Sequence, residues 1–144
     1  MKKYILVLAA VLGLAASSAR AEVLWPIASS VYHRSYNNTY LDTQANLYFG
    51  VWPVAWGHTA GAVFTVDGWA TAKWSNAGWL ANVNNSFGGQ DENWNLTMTG
   101  RNNSAGYAPI TFEYALYVKT QAGQWFWANN GGNNYRITHY AYYR

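Results

Sequence analysis

The sequence contains no cysteine, and this absence is the first feature that limits what the chain can be. Without cysteine there is no disulfide and no thiolate–metal site, so packing alone must hold the fold. Charged side chains are also scarce, at 10% of the 144 residues. Acidic residues number only six, which leaves few candidates for a carboxylate-based active site or for a calcium loop.

The first 21 residues have the features of a secretory signal peptide. A basic start is followed by an apolar run over residues 4–14, and Ala19 and Ala21 fit the small-x-small cleavage pattern. The apolar run is too short to span a bilayer, so a retained membrane anchor is the weaker alternative. We expect cleavage after Ala21 and a secreted protein, either extracellular or periplasmic.

The expected mature chain, residues 22–144, is not basic. The precursor has nine Lys and Arg and a pI near 9.2, but three of the nine, Lys2, Lys3 and Arg20, lie in the leader. The remaining 9 − 3 = 6 basic side chains balance the six acidic ones. Nucleic acid and anionic lipid are therefore not the expected partners. The length of 144 − 21 = 123 residues suits a single domain.

Aromatic and amide side chains replace the missing charge. All nine Trp and eleven of the twelve Tyr fall after the leader, together with fifteen Asn. A small domain cannot easily bury so many aromatic rings, and Asn is buried only when it is hydrogen-bonded. A surface rich in Trp, Tyr and Asn suits neutral, hydroxyl-rich partners. The alternative is that the aromatic residues simply form a bulky β core.

Short segments with period-two alternation predict strands throughout the mature chain. These segments are residues 31–36, 45–52, 59–66, 69–74, 94–100, 110–119, 123–127 and 134–144. Residues 78–93 are rich in Asn and Gly and are interpreted as mostly loop. About eight short strands separated by turns predict an all-β protein, an immunoglobulin-like antiparallel β-sandwich.

No catalytic or metal-binding motif is visible. Glu113 is placed mid-strand on the polar face, but no second carboxylate is visibly paired with it, as a glycosidase would require. His33, His58 and His139 are scattered, and HExxH, GxSxG and Gly-rich phosphate loops are absent. We therefore expect a protein that is not an enzyme and that has neither cofactor nor metal.

The segment "WFWANNGGNNYRI" (125–137) carries the strongest functional signal. Alternation places Trp125 and Trp127 on one face and Phe126 on the other, so both indoles become surface platforms if Phe126 enters the core. Sugars have apolar C–H faces that such rings can cover, and Asn amides can bridge neighbouring hydroxyls. Gly131 and Gly132 permit positive φ in the loop. The alternative is a hairpin turn that is rich in Asn and Gly for conformational reasons only.

The longer segment "FEYALYVKTQAGQWFWANNGGNNYRI" (112–137) resembles the signature of family 21 carbohydrate-binding modules, which bind starch and glycogen. Upstream, "TAGAVFTVDGWATAKW" (59–74) is similar to the family's strand that ends in Asp-Gly-Trp. The resemblance extends from about Asn46 to Tyr135. It departs at Ala128, where the family has an acidic residue, and residues 78–92 have no clear counterpart.

The resemblance implies a β-sandwich that binds α-glucan chains without cleaving them, at two aromatic sites. Carried over by position, the first site comprises Trp69, Trp74, Tyr117, Trp127, Asn129 and Asn134. The second site comprises Trp56 and Trp79. The expected partner is thus a neutral polysaccharide of the α-glucan type. Alternatives are a lectin-like binder of another neutral glycan, a structural or interaction protein of the cell surface, and, less favoured, a small glycosidase.

Overall fold

The structure is a computed structural model and describes residues 21–36, 41–102 and 109–140. The predicted signal peptide lies outside these residues apart from Ala21, as do residues 141–144 of the predicted last strand. In the described part of the chain there are nine strands: β1 (Val23–Tyr36), β2 (Leu41–Trp52), β3 (Thr59–Thr65), β4 (Lys73–Asn76), β5 (Gly78–Asn84), β6 (Gln90–Asn102), β7 (Ile110–Lys119), β8 (Trp125–Ala128) and β9 (Tyr135–His139).

The strands form two antiparallel sheets, which confirms the predicted β-sandwich. One sheet has four strands in the order β1-β2-β6-β5, and the other has five in the order β4-β3-β7-β8, with β9 also on β7. β8 pairs with the last residues of β7 and β9 with its first residues. Among the described residues no helix is long and apolar enough to cross a membrane, and the helical content is one 3-10 turn, Asn130–Gly132.

The core lies between the two sheets and follows the predicted alternation. Phe112, Leu116 and Val118 of β7 are fully buried against Leu47 and Phe49 of β2 and their neighbours. Because successive side chains of a strand point to opposite faces, burial of one set carries the other set to the outer face of each sheet. The outer face of the five-stranded sheet is therefore built from residues that alternate with the core.

Two predictions of local structure were wrong. Residues 78–93 are not mostly loop, because they contain β5 and the start of β6, joined by a hairpin. Its turn is held by Asn85, whose Oδ1 accepts hydrogen bonds from the backbone N–H groups of Phe87 and Gly89. An edge strand with one neighbour needs no long apolar run, so the Asn-rich composition concealed β5.

Residues 69–72 are not strand, and β4 begins only at Lys73. The Asp67 carboxylate instead organises a turn by accepting hydrogen bonds from the backbone N–H and the hydroxyl of Thr71, at 2.9 and 2.6 Å. Trp69 lies in this turn with φ of 71°. Side-chain capping of a turn by Asp competes with strand pairing, which explains why the aromatic pattern at 69–74 was misleading.

Candidate functional site

The outer face of the five-stranded sheet carries four aromatic rings in mutual contact, which we call the tryptophan cluster: Trp74, Tyr117, Trp125 and Trp127. Tyr117 of β7 is paired with Trp127 of β8, and the next pair on the same face is Lys119 with Trp125. Trp74 comes from β4, on the far side of β3. Paired residues of antiparallel strands share a face, so the pairing and the alternation together bring these rings to one surface.

The rings of the tryptophan cluster pack in defined orientations. Trp125 and Trp127 are nearly parallel, at 12° with centroids 6.0 Å apart. Trp74 stands at 74° and 68° to them, with centroid distances of 6.2 and 5.8 Å. Each of the three tryptophans remains about half exposed, including 58% for Trp74 and 47% for Trp127. The arrangement leaves indole faces and edges open to solvent on a rigid support.

Tyr117 lies beneath the tryptophans rather than beside them. Only 5% of it is exposed, and burial raises the pKa of its phenol. The ring lies over Gly61, where a Cβ atom would come within 2.6 Å of the Tyr117 hydroxyl oxygen. That hydroxyl donates a hydrogen bond to Asn76 Oδ1 at 3.1 Å. The sequence resemblance placed Tyr117 among residues that contact a ligand, but here it forms the floor that supports them.

Trp125 belongs to the tryptophan cluster but was not among the first-site residues that the family resemblance implied. Alternation alone had placed it on the same face as Trp127, and the structure confirms that placement. The family motif assigns a binding role only to Trp127. The alternation of residues along the strand nevertheless indicated that Trp125 shares its face.

A second group on the same face is centred on Glu113, and we call it the Glu113 bridge: Trp69, Glu113 and Asn134. Glu113 Oε1 accepts hydrogen bonds from Trp69 Nε1 at 2.8 Å and from Asn134 Nδ2 at 2.9 Å. These two bonds, with Arg136 3.5 Å from Oε2, lower the pKa of the Glu113 carboxyl. The carboxylate orients an indole that is 37% exposed. An ionised, triply contacted carboxylate is poorly suited to act as a general acid.

The Glu113 bridge and the tryptophan cluster lie along one line on β7. Glu113 and Tyr117 are four residues apart, about 13 Å along a strand, with Ala115 between them. The predicted first-site residues thus form two adjacent groups, Trp69 with Asn134 and Trp74 with Trp127, on a single face. A ligand several sugar units long could contact both.

Asn129 has a different role from Asn134. It precedes the 3-10 turn, and its Oδ1 accepts a hydrogen bond from Gly132 N at 3.1 Å while its backbone oxygen accepts one from Asn134 N at 2.7 Å. Gly131 and Gly132 have φ of 65° and 93°, which glycine permits. Asn129 therefore shapes the loop that brings Asn134 to Glu113.

Trp56 and Trp79, the predicted second-site pair, line one open depression elsewhere on the molecule, which we call the Trp56 groove. Its volume is about 640 Å³, and Asn82 and Trp94 also line it. Trp56 is 88% exposed. Trp79 is fixed by a hydrogen bond from its Nε1 to Asn82 Oδ1 at 3.2 Å. The structure therefore brings the two residues to one surface, although their binding role stays a prediction.

Glu92, which sequence reasoning had treated as a loop residue, holds the Trp56 groove together. It is buried in β6, and Oε1 accepts a hydrogen bond from Ala55 N at 2.9 Å. Oε2 accepts from His58 Nδ1 at 3.0 Å and from Trp94 Nε1 at 2.9 Å. One carboxylate thus fixes the backbone just before Trp56 and the side chain two residues after it. No local sequence signal marks this role, because its donors come from three separate positions.

Comparison with known proteins yields distant likenesses among solved structures. No family model matches the chain, and no curated protein matches it. Among solved structures, it is similar to the carbohydrate binding module of the muscle glycogen-targeting subunit of Protein Phosphatase-1, with a TM-score of 0.46 and 16% identity over 85% of this chain and 78% of that chain. Membership of family 21 stays a prediction. The function must be inferred from this chain's own side chains.

Proposed function

We propose that the chain binds neutral glycans of the α-glucan type, without cleaving them, through its surface tryptophans. The observation that carries the proposal is the tryptophan cluster, with three half-exposed indoles on one face of a rigid sheet. Soluble proteins rarely expose contiguous aromatic surface without a binding role. Stacking on a sugar requires accessible rings, and both Trp69 and Trp127 are accessible.

The polar groups around the rings support a neutral ligand. Asn76 lies at the edge of the tryptophan cluster and Asn134 in the Glu113 bridge, and amides of this kind can both donate to and accept from sugar hydroxyls. The charges of Glu113 and Arg136 face each other and so offset one another locally. Stacking on indoles combined with amide contacts suits hydroxyl-rich, uncharged partners better than phosphates.

The Trp56 groove is proposed as a second contact for the same kind of ligand. Two separate aromatic surfaces on one molecule can engage one long chain, which raises the effective strength without new contacts. Each open surface alone is expected to bind weakly, with dissociation constants of roughly micromolar to millimolar. Export after cleavage at Ala21 belongs to the same proposal, since an extracellular or periplasmic protein would meet such polymers there.

A pull-down on insoluble polysaccharides tests the ligand class. The protein is incubated with starch, cellulose and chitin, and the fraction retained on each is measured. Preferential retention on starch supports the α-glucan assignment. Retention on cellulose or chitin alone would replace it with another neutral glycan. Retention on none, with self-association seen by light scattering, would favour an assembly role for the aromatic surface.

The variant Trp127→Ala tests the site. Loss of one stacking ring is expected to weaken starch binding about tenfold, the equivalent of about 1.4 kcal/mol. Phe87→Ala is the matched control, because Phe87 is exposed on the β5–β6 hairpin and lines neither surface. Circular dichroism checks that both variants fold. Equal starch retention by folded Trp127→Ala and parent would contradict the assignment.

A further inference from the structure

The fold brings together two histidines that the sequence keeps apart. His33 lies near the end of β1 in the four-stranded sheet, and His139 is the last residue of β9 in the five-stranded sheet. Although 106 positions separate them, their Nε2 atoms are 3.1 Å apart. The expectation that the histidines are scattered therefore holds for the sequence but not for the structure. The pair joins the two sheets at one end of the sandwich.

The two rings do not meet as a linear hydrogen bond would require. A straight N–H···N bond of 3.1 Å would hold the ring centres about 5.4 Å apart, because each centre lies about 1.15 Å behind its nitrogen. The observed separation is 4.6 Å, with the ring planes at 60°. The rings are therefore bent towards each other, which weakens a direct hydrogen bond between them.

The same separation fits two nitrogens that share one metal ion. Zinc lies about 2.0–2.1 Å from an imidazole nitrogen, so an ion bound to both atoms of a 3.1 Å pair would have an N–metal–N angle of about 98°. This angle lies between the square-planar and tetrahedral values, and it would place the ring centres about 4.8 Å apart, near the observed distance.

The surroundings of His33 fix the orientation of its ring. Its Nδ1 is 3.2 Å from the hydroxyl of Thr43, which is buried. A hydroxyl that occupies Nδ1 fixes the ring and leaves Nε2 directed at His139, as outer partners of metal-binding histidines do.

We propose that His33 and His139 form a two-histidine site for a divalent late transition-metal ion, Cu²⁺ or Zn²⁺, that links β1 to β9. Imidazole pairs select these ions over Mg²⁺ and Ca²⁺, which prefer oxygen ligands. Across the described residues no group of three or more His, Cys, Asp and Glu side chains could hold a metal. The proposal assigns the remaining coordination positions to water or to an added ligand, and Cu²⁺ is expected to bind more tightly than Zn²⁺.

The experiment uses the full mature protein purified without a histidine tag. The protein is titrated with CuSO₄. Calorimetry is expected to show one bound ion per chain, and electron paramagnetic resonance is expected to show coupling of the copper to two imidazole nitrogens. Titration with ZnCl₂ in a ¹⁵N-labelled sample is expected to shift the side-chain resonances of His33 and His139 and leave those of His58 in place. Zinc should also raise Tm, because it binds the folded pair.

His33→Asn and His139→Asn are each expected to weaken Cu²⁺ binding at least tenfold and to abolish the Tm rise. Thr138→Ala, at an exposed neighbour of His139, is the matched control and should bind as the parent does. Equal affinity in the two histidine variants, resonance shifts confined to His58, or no binding at 100-micromolar metal would each overturn the proposal. If a variant fails to fold, the resonance shifts of the parent protein decide. None of these outcomes depends on whether the chain binds glycans.

Discussion

The tryptophan cluster and the Trp56 groove present the same side chain to solvent in two different ways. In the cluster, Trp74, Trp125 and Trp127 stand on neighbouring strands and contact one another above Tyr117. In the groove, Trp56 stands on a loop and is 88% exposed, and Glu92 holds the backbone N–H of the preceding residue, Ala55. Ring packing positions the first surface, whereas a buried carboxylate positions the second.

This difference predicts that the two surfaces respond differently to the loss of a polar contact. A cluster in which each ring contacts several others should keep its shape when one polar contact is lost. A loop whose position depends on hydrogen bonds to one carboxylate should lose its shape when that carboxylate is removed. Preorganised side chains lose less conformational entropy on binding, so each support bears on affinity as well as on stability. Substitutions beneath the rings therefore separate the two designs better than substitutions of the rings themselves.

Removal of the Glu92 carboxylate is expected to have the largest effect. Glu92→Ala leaves the buried donors of His58 and Trp94, and the partly buried N–H of Ala55, without their acceptor, which should lower the free energy of unfolding by about 3 kcal/mol. The corresponding fall in Tm is roughly 10 °C. Chemical and thermal unfolding measure it, and starch retention should fall because the loop no longer holds Trp56.

Two controls accompany this variant. Trp56→Ala removes the ring of the groove but no buried contact, so its stability should stay within about 0.5 kcal/mol of the parent. Asp91→Asn changes the neighbouring carboxylate, which accepts a hydrogen bond from Asn85 and is only partly buried. If Glu92→Ala were as stable as Trp56→Ala, the carboxylate would not be the support of the groove.

The floor of the tryptophan cluster provides the next test. In Gly61→Ala the new Cβ would lie 2.2 Å from the Ser75 backbone oxygen and 2.6 Å from the Tyr117 hydroxyl oxygen. We expect a loss of about 2 kcal/mol in stability and a change in tryptophan fluorescence as Tyr117 lifts the rings.

Gly78→Ala is the matched control for this substitution. Gly78 is also a strand glycine, but the nearest atom to its added Cβ is the end of the Asn95 side chain, at 3.3 Å. Its effect on stability should therefore be small. Identical unfolding curves for the two glycine variants would show that Tyr117 does not need the open space above Gly61.

Substitution of Asp67 in the turn that carries Trp69 is expected to change stability least, because this carboxylate is exposed. Hydrogen bonds from Thr71, then from Thr65, lower the pKa of Asp67 from 3.8 to about 2. The fold therefore favours the ionised form of Asp67. Its contribution to the stability of the fold is present above about pH 4 and is lost as the pH falls towards 2. The stability difference between parent and Asp67→Asn should shrink over that range. A difference that stays constant from pH 5 to pH 2 would contradict the assignment.

Much of the fold could be predicted from local pattern. The strand at 110–119 has the predicted bounds, and Trp94, Leu96 and Met98 are buried on one face as expected. Period two is enforced by the strand backbone itself, so a buried face can be read without knowing the partner strand. β5 was not recognised, because an edge strand with polar residues lacks that alternation.

The candidate site could be predicted only in part. Trp125 and Trp127 were placed on one face, and the loop glycines were recognised as permitting positive φ, because both properties are local. The burial of Tyr117 depends on Gly61, on a different strand, and the role of Glu92 depends on donors from the loop before β3. Such contacts join distant positions and have no signature along the chain.

By itself, the sequence determined that the protein is a β-sandwich, that it lacks covalent crosslinks between cysteines, and that it has more aromatic rings than its core can hold. Hydrophobic periodicity and composition are enough for those conclusions. Only the tertiary structure decided which rings meet, which ring lies beneath the others, and that His33 and His139 come into contact. Strand order and register bring residues together from across the whole chain, and neither is encoded in any single segment.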